Sequence, residues 1–285
     1  MGKTSNICAG IVLYNPDITR LKESLASIIK QVPKVFLVDN GSVNLYEVEK
    51  LVEDNPEVEI IPLGENMGIA AALNEICRSA AVRGYEWALT LDQDTICPED
   101  LVENLYSATG DEIIGIVCPA VKYEGLNMVV CNDEETVCEI KGCMTSASLT
   151  NIAIWDKVGG FREDYFIDYV DNEYCKRLRV NGYKILRVNA CQMLHQLGDA
   201  RTVKFLFMKF TGSYHNPVRC YYMIRNNIVF IREYKKEISL MKEWIKVIYI
   251  ALGCVFYAED RSRTTRYVIK GIKDALKGKM GKYEG

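Results

Sequence analysis

Short apolar runs alternate with amphipathic segments through the first half of the chain. The apolar runs are "ICAGIVLY", "KVFLVDN", "VEIIPLG" and "EWALTLD". Between them, apolar residues recur every three or four positions in "DITRLKESLASIIKQ", "NLYEVEKLVED" and "GIAAALNEICRSAAVRG", the spacing of a helix with one buried face. This strand–helix alternation predicts a mostly parallel sheet with helices on both faces and a ligand site at the carboxyl ends of its strands.

The pattern changes in the second half of the chain. The runs "IIGIVCPAVKY", "MVVCND" and "ETVCEIKGCMTSASLT" predict hairpin or mixed-sheet strands, and "VDNEYCKRLRVNG" predicts a helix. After "NGYKILRVNACQMLHQLGD" we expect helices to the end of the chain. The sequence therefore predicts an α/β domain over residues 1–235 and a basic amphipathic helical region over residues 236–285.

Composition excludes several classes of protein. A chain of 285 residues that is 49% hydrophobic can bury a large core and fold without disulfide bonds or structural metal ions. Its eleven cysteines are scattered without a CxxC pair, which favours a reducing cytoplasm over a disulfide framework or a zinc site. The first apolar run breaks at Asn15-Pro16, unlike a signal peptide. A net charge of −3 argues against a general nucleic-acid binder.

Two carboxylates, Asp92 and Asp94, stand where the apolar run "EWALTLD" ends. Residues two apart in an extended strand point to one face, so these charges would repel each other and attract a divalent cation. A solvated turn, with Asp94 and Thr95 capping the next helix, is the simpler interpretation of this stretch taken alone.

Three other predicted strands also end in polar residues, at "YNP", "DNGS" and "GENMG". Asp39 can accept a hydrogen bond from the imide N–H of uracil or thymine, and the glycines allow close backbone approach to a ligand. Each stretch alone is typical of a turn or a helix start. Four polar clusters at one edge of a sheet favour a nucleotide site, and no GxGxxG or GxxxxGK[ST] motif competes for that role.

A second acidic cluster lies in "YFIDYVDNEYCKRLRVNGYKI". Asp168 and Asp171 stand among aromatic and apolar residues, an environment suited to a general base. Helix capping by either aspartate, with Glu173 and Arg177 as a surface ion pair, is the alternative. His195 follows in "CQMLHQLG" and would be a core residue by itself, but a metal ligand if a cation is bound nearby.

These motifs together resemble family 2 inverting glycosyltransferases of the GT-A fold, and within them the rhamnosyltransferase-like branch that builds bacterial polysaccharides. The resemblance covers roughly residues 7–235 in the family's order and is far more specific than an isolated DxD motif. It is carried by "IVLYNPD", "LVDNGS", "ENMGIAAALN", "LTLDQDT", "CMTSASLTNIAIWDKVGGFREDYFIDYVDNEYCKRLRVNGYKI", "LHQLG" and "YYMIRNNIVFIREY".

The resemblance implies a fold and a donor site. The fold would be a Rossmann-like mixed sheet flanked by helices, with a C-terminal helical extension. The residues that would bind a dTDP- or UDP-linked sugar are Asp39 at the pyrimidine, Tyr14, Asn66 and Gly68 around base and ribose, and Asp92 at the ribose or diphosphate. Asp94, assisted by His195, would bind Mn²⁺ or Mg²⁺.

It also implies the catalytic groups. Asp171 matches the base that deprotonates the acceptor hydroxyl, with Asp168 as the less favoured candidate. Arg225 would contact a phosphate of the donor or of a lipid acceptor, although Arg219 and Arg225 could instead form the polar face of an amphipathic helix.

The implied reaction moves rhamnose from dTDP-rhamnose to a glycan or polyprenyl-diphosphate-linked acceptor in surface-polysaccharide synthesis. A nucleotidyltransferase is one alternative, but "AGIVLYNPD" lacks the glycine-rich basic loop that holds a triphosphate. A non-catalytic nucleotide-sugar-binding relative is the other. The presence of Asp92, Asp94, Asp171 and His195 together argues against it.

The C-terminal region combines apolar and basic residues in "LMKEWIKVIYIALGCVFYA" and beyond. Its apolar stretch is shorter than the roughly 20 residues needed to span a bilayer. Two interpretations stand equally. The region docks peripherally on the inner face of the plasma membrane, or it packs on the catalytic domain or in a homo-oligomer interface.

Overall fold

The structure, a computed structural model, describes the backbone of residues 5–123, 135–195, 200–205, 208–213 and 215–285. Side chains are described for residues 5–121, 135–193 and 215–285. The predicted strand "MVVCND" lies outside the described residues.

Strands and helices alternate through the first half of the chain, as the sequence predicts. The elements are β1 (Ile7–Leu13), α1 (Ile18–Ile28), β2 (Val35–Asp39), α2 (Leu45–Val52), β3 (Val58–Pro62), α3 (Ile69–Val82), β4 (Trp87–Asp92) and α4 (Leu101–Tyr106). Every residue of β1 and β2 is buried, as expected for strands covered on both faces. Asp17 begins α1 by accepting a hydrogen bond from the backbone N–H of Arg20 at 2.9 Å.

The second half adds strands and then helices. The elements are β5 (Ile114–Tyr123), β6 (Val137–Glu139), β7 (Ser148–Asn151), α5 (Ile152–Val158), α6 (Val170–Val180), β8 (Lys184–His195), β9 (Ala200–Phe205), β10 (Met208–Ser213), α7 (Pro217–Glu233), α8 (Leu240–Phe256) and α9 (Arg261–Lys277). No helix in the described part of the chain is both long enough and apolar enough to cross a bilayer.

Eight of the described strands form one mixed sheet in the order β3-β2-β1-β4-β7-β5-β8-β6. The first four are mutually parallel, and β7 runs antiparallel to both β4 and β5. The chain passes from β1 to β2 and β3 on one side and returns to β4 on the other. The strand order therefore reverses between β1 and β4, where open α/β sheets form ligand crevices.

One expectation about the second half is wrong. The chain does not turn helical directly after β8, because β9 and β10 first form an antiparallel pair from Ala200↔Ser213 to Phe205↔Met208. The segment "ARTVKFLFMKFTGS" carries β-branched and aromatic residues at close intervals, a composition that favours extended backbone over helix.

The described chain divides into two compact units. The first comprises residues 1–163 and 171–195, and contains the eight-stranded sheet. The second comprises residues 164–170 and 196–285, and so includes α7 with α8 and α9. The extent of the catalytic domain, residues 1–235, stays a prediction.

Candidate active site

The carboxyl ends of β1, β2 and β4 bring the predicted donor residues to one edge of the sheet. Leu13, the last residue of β1, pairs with Asp39 of β2, and Val12 pairs with Asp92 of β4. Asp39 and Asp92 are therefore two strand spacings apart, about 10 Å. The loops that contain Tyr14 and Asn66 follow β1 and β3 at the same edge.

Asp39 is held by its own turn. It is 1% exposed, and its carboxylate oxygens accept hydrogen bonds from the backbone N–H groups of Gly41 at 3.1 Å and Ser42 at 3.1 and 3.2 Å. A carboxylate has about four lone-pair positions, so one further donor can still be accepted. A pyrimidine imide N–H fits that remaining position, and its binding there stays a prediction.

Asparagines join the loops after β2 and β3. The Asn40 Nδ2 donates to Asn66 Oδ1 at 3.3 Å, and Asn40 Oδ1 accepts from the backbone N–H of Met67 at 2.8 Å. Asn66 Oδ1 also accepts from the backbone N–H of Gly68 at 3.0 Å. Gly68 is buried with a φ of 91°, which favours glycine, and α3 begins directly after it. Asn66 and Gly68 thus shape the entrance to α3.

The loop after β1 is hydrogen-bonded to the loop after β4 on one side and to the loop after β2 on the other. The backbone N–H of Tyr14 donates to Gln93 Oε1 at 2.9 Å, and that of Asn15 donates to Ser42 Oγ at 2.8 Å. The Tyr14 residue is 49% exposed, and its ring can contact a bound ligand. Gln93, the middle residue of the acidic motif, therefore has a structural role between two strand ends.

The two aspartates of that motif occupy different environments. Asp92 ends β4 and its backbone N–H donates to Ser146 Oγ at 3.2 Å. Asp94 lies beyond the strand in a turn, so the two-residue period of a strand does not fix its direction. Asp94 is exposed, and within the described residues its carboxylate accepts no hydrogen bond and joins no ion pair.

The carboxylate of Asp94 is available as an oxygen ligand, and the binding of a divalent cation there stays a prediction. An exposed carboxylate without protein partners is the kind of oxygen ligand that Mg²⁺ and Mn²⁺ take, usually together with substrate phosphates. The backbone of His195 ends β8, but its side chain lies outside the described residues. Among the residues described, no group of three His, Cys, Asp or Glu side chains could hold a metal by itself.

Asp171 lines a cavity of about 480 Å³ in the first unit. It lies in the first turn of α6, and its Oδ1 accepts from the backbone N–H of Asn172 at 2.8 Å. Ser146 lines the same cavity and contacts the backbone N–H of Asp92. The cavity that contains the predicted base thus lies next to the end of β4, where the donor residues converge.

Neutral thiols form part of the cavity wall. The Sγ atoms of Cys143 and Cys175 are 4.0 Å apart, and Cys118 lies beside them. A hydrogen bond with Cys118, together with burial, raises the pKa of Cys143 well above the ordinary thiol value. A hydrogen bond with Cys143, together with burial, does the same to the pKa of Cys175. The side chains of Cys143 and Cys175 are therefore uncharged at neutral pH, whereas Lys141 and Arg187 contribute basic groups to the same cavity wall.

Asp168 lies in the second unit and is bound by Arg219. The Arg219 Nη2 is 3.2 Å from Asp168 Oδ1, and its Nε also lies within hydrogen-bond distance. Burial raises the pKa of Asp168, while Arg219 and His215 act in the opposite direction. Its carboxylate engages Arg219 rather than the start of α6, so the expected helix cap by Asp168 is not observed.

The backbone around Asp168 is strained. Phe166, Asp168 and Tyr169 have φ values of 64°, 62° and 67°, which side chains other than glycine rarely adopt. The Asn226 Nδ2 lies 2.8–2.9 Å from the carbonyl oxygens of Tyr165, Ile167 and Asp168. The buried carboxamide of Asn226, on α7, thus contacts three carbonyl oxygens of this loop.

Arg225 is fully buried, and its guanidinium contacts the protein. It donates to Asn226 Oδ1 at 2.8 Å and to the carbonyl oxygens of Gly281 at 2.6 Å and Tyr165 at 3.0 Å. The alternative that it forms the polar face of an amphipathic helix is wrong, since its exposure is 0%. Its contact with a phosphate stays a prediction, and these hydrogen bonds give it a structural role in the second unit.

The expected surface pair of Glu173 and Arg177 is formed but is not at the surface. Glu173 is 1% exposed, and Arg177 contacts both of its carboxylate oxygens at 2.9 and 3.0 Å. Arg177 also donates to the carbonyl oxygens of Val158 and Gly160. The helical spacing correctly predicted the pair but not its burial, which depends on the packing of α6 against the segment after α5.

Sequence reasoning missed three polar residues with structural roles: Asn40 and Ser146 in the first unit and Asn226 in the second. In the sequence, Asn40 is only the second residue of the turn "DNGS", but in the structure it connects two loops. Ser146 and Asn226 stand next to recognisable motifs, in "CMTSASLT" and "YYMIRNN". Polar residues inside otherwise apolar elements are a usable signal, since burial requires them to find hydrogen-bond partners.

The chain matches known proteins over its whole length. The model of glycosyl transferase family 2 matches residues 8–169. The dTDP-rhamnosyl transferase RfbF of Shigella flexneri is 28% identical over 292 aligned residues, which cover 97% of this chain and 96% of the relative.

Solved structures share the fold at low identity. The mannosyltransferase PcManGT of Pyrobaculum calidifontis, in complex with GDP-Man and Mn²⁺, superposes with a TM-score of 0.59 at 13% identity. The match covers 95% of this chain and 75% of the PcManGT chain. S. aureus TarS 1–349, in complex with UDP-GlcNAc, superposes with a TM-score of 0.59 at 15% identity. That match covers 96% of this chain and 81% of the TarS chain. The predicted GT-A fold with C-terminal helices is thereby confirmed.

Proposed function

Because the chain belongs to glycosyl transferase family 2, we propose that it moves rhamnose from dTDP-rhamnose to an acceptor in bacterial surface-polysaccharide synthesis. The similarity to a dTDP-rhamnosyl transferase extends over 97% of this chain and 96% of that relative, which supports the donor class. The acceptor would be a glycan or a polyprenyl-diphosphate-linked sugar at the cytoplasmic face of the membrane.

One structural observation supports the catalytic part of the proposal. Asp171 lines a cavity of about 480 Å³ whose wall includes Ser146, and Ser146 contacts the end of β4 beside the donor residues. A base next to a nucleotide-sugar site can act on the acceptor hydroxyl while the sugar is bound.

The donor would bind along the carboxyl edge of the parallel strands. The remaining lone pair of Asp39 would accept the imide N–H of thymine, and the exposed ring of Tyr14 would lie against the base. Asn66 and Gly68 would line the ribose pocket, and Asp92 would face the ribose or the diphosphate. Because the loops are already joined by hydrogen bonds, they lose little conformational freedom when the nucleotide binds.

Asp94, with His195, would hold Mn²⁺ or Mg²⁺. Either ion, when bound, would neutralise charge on the departing nucleoside diphosphate. The exposed carboxylate of Asp94 suits this role because it has no competing partner among the described residues.

Asp171 would take the proton of the acceptor hydroxyl as its oxygen bonds to the anomeric carbon. The bond from that carbon to the diphosphate oxygen breaks, and its electron pair leaves with the nucleotide. A single displacement from the opposite face inverts the anomeric centre.

A panel of nucleotide sugars tests the donor. Purified full-length protein is incubated with Mn²⁺ and dTDP-rhamnose, UDP-glucose, UDP-GlcNAc or GDP-mannose, and release of the nucleoside diphosphate is followed by chromatography. We expect the dTDP-linked sugar to be cleaved fastest and to raise the melting temperature most. Faster cleavage of a UDP- or GDP-linked sugar would overturn the donor assignment but not the family.

A further inference from the structure

The outward face of α8 carries a continuous apolar surface, here called the α8 stripe. Its six residues recur at helical spacing and are 42–78% exposed: Met241, Trp244, Ile245, Ile248, Tyr249 and Leu252. They extend over about 16 Å of helix, at 1.5 Å per residue. On the opposite face, Val247 and Cys254 are buried. One side of α8 thus packs in the second unit while the other exposes large apolar side chains.

The stripe is ordered by residue type. At about 100° per residue, the four aliphatic side chains fall within an arc of about 60°. Trp244 and Tyr249 lie on its two borders, and Lys242 follows beyond Tyr249. Interfacial membrane helices show this order, because aliphatic groups enter the acyl boundary while Trp, Tyr and Lys stay near the headgroups.

Charge in the same region favours an anionic surface. Residues 236–285 contain eleven lysines and arginines against six aspartates and glutamates, a net charge of +5 in a chain whose total is −3. On α9, the exposed residues Arg266, Lys273 and Lys277 alternate with exposed Ile269 and Leu276. Each basic residue near an anionic bilayer contributes about 1 kcal/mol to binding.

We propose that the α8 stripe docks on the surface of an anionic lipid bilayer, with α8 lying in the plane of the interface. The 17 residues of α8 are too few to span the hydrocarbon core, for which about 20 are needed. A second copy of this chain is the less favourable occupant. A two-fold contact through α8 would bring two regions of net charge +5 together.

Vesicle binding by the full-length protein tests the proposal. We expect sedimentation with vesicles that contain one quarter phosphatidylglycerol, weak sedimentation with pure phosphatidylcholine, and loss of binding at high salt. The double variant Ile245→Gln/Ile248→Gln should bind at least about tenfold more weakly, because each isoleucine loses apolar burial. Val82→Gln is the matched control, since Val82 is 84% exposed on α3 and should leave vesicle binding unchanged.

Tryptophan fluorescence gives an independent measurement. Trp87 and Trp155 are 4% and 8% exposed, whereas Trp244 is 42% exposed, so Trp244 dominates any response to the solvent. Anionic vesicles should shift the emission to shorter wavelength and protect it from acrylamide, and Trp244→Phe should abolish both changes. Failure of the intact protein to bind vesicles would overturn the proposal, as would equal binding by the isoleucine double variant. A lipid-free dimer that this variant dissociates, in the absence of vesicle binding, would assign the stripe to a second copy.

Discussion

The four aspartates singled out from the sequence differ in what already surrounds them. Asp39 is buried and holds a turn, Asp94 is exposed without a partner among the described residues, and Asp168 is paired with Arg219. Asp171 lines the cavity. The four residues are of the same type, so their roles cannot be distinguished from the sequence composition. Single substitutions should distinguish them, because each should change a different quantity: nucleotide affinity, metal dependence, thermal stability or transfer rate.

Asp39→Ala should weaken dTDP and UDP alike, because both present the same imide N–H. A hydrogen bond to a charged group contributes about 1.5–3 kcal/mol, so affinity should fall roughly tenfold to a hundredfold. Isothermal titration calorimetry measures it, with GDP as a control nucleotide that lacks the pyrimidine edge. Equal affinity of mutant and wild type for dTDP would reduce Asp39 to a turn residue.

Asp94→Ala should remove the metal-dependent part of donor binding and leave the fold intact. The carboxylate is exposed and makes no contact that the change would break within the described residues. Calorimetric titration with dTDP, with and without Mn²⁺, measures the difference. If the variant gains as much affinity from Mn²⁺ as the wild type, the metal is not held by Asp94.

Asp168→Asn should keep the protein folded and change its pH dependence. Since burial raises the pKa of Asp168, the folded chain binds that proton more tightly than the unfolded chain. The contribution of Asp168 to the free energy of unfolding is therefore present below about pH 4, the pKa of an aspartate in the unfolded chain. It is lost as the pH rises through the higher pKa of Asp168 in the folded chain. Asparagine also tolerates a φ of 62°.

The melting temperature of this variant relative to wild type should accordingly increase between about pH 4 and pH 7. Thermal unfolding measured across that range checks the slope. Arg219→Gln is the companion variant, because removal of the counter-charge should lower stability more at pH 7 than at pH 4. A slope of opposite sign would show that the ion pair outweighs burial.

At the scale of elements, α7 holds the strained loop through one of two adjacent asparagines. Asn226 contacts three carbonyl oxygens of the loop, whereas both side-chain polar atoms of Asn227 are buried without a partner among the described residues. Both residues are 0% exposed. They form a matched pair for asking what a buried carboxamide contributes.

Asn226→Ala should lower the free energy of unfolding by about 1–3 kcal/mol, because it leaves buried carbonyl groups unpaired. Asn227→Leu removes unsatisfied polar atoms and should be neutral or stabilising. Chemical denaturation of the two variants gives both values. A similar decrease in the free energy of unfolding in both variants would mean that Asn227 makes hydrogen bonds as stabilising as those of Asn226.

Periodicity predicted the elements that local sequence determines. The four parallel strands and their helices follow from alternating apolar runs, and the convergence of their polar ends follows from parallel pairing. The β9–β10 hairpin was missed although its pairing is local and its residues favour extended backbone. The burial of Glu173 was missed because it depends on residues distant in sequence. Ser146 likewise enters the site only because β7 runs antiparallel to β4.

At the scale of the whole molecule, the predicted donor residues and the α8 stripe belong to different units. The first unit contains the sheet, the donor residues and the cavity with Asp171, while the second contains the strained loop and the α8 stripe. Resemblance to a family predicted the fold of the first unit, while the roles of its site residues stay predictions. The α8 stripe could be recognised only in the structure, because the sequence does not show which apolar residues of α8 are exposed. The sequence alone left two interpretations of the C-terminal region equally open, docking on a membrane and packing against protein.

The transfer rate of Asp171→Asn tests the proposed mechanism most directly. Asparagine keeps the size of the side chain but cannot accept the proton, so transfer from the nucleotide sugar should fall by roughly 10²–10⁴-fold. Donor affinity, measured by calorimetry on the same preparation, should stay close to that of the wild type, since the base acts on the acceptor. Asp168→Asn is the matched control and should lose far less. Transfer at the wild-type rate by Asp171→Asn, or loss of transfer in Asp168→Asn alone, would contradict the assignment of Asp171 as the base.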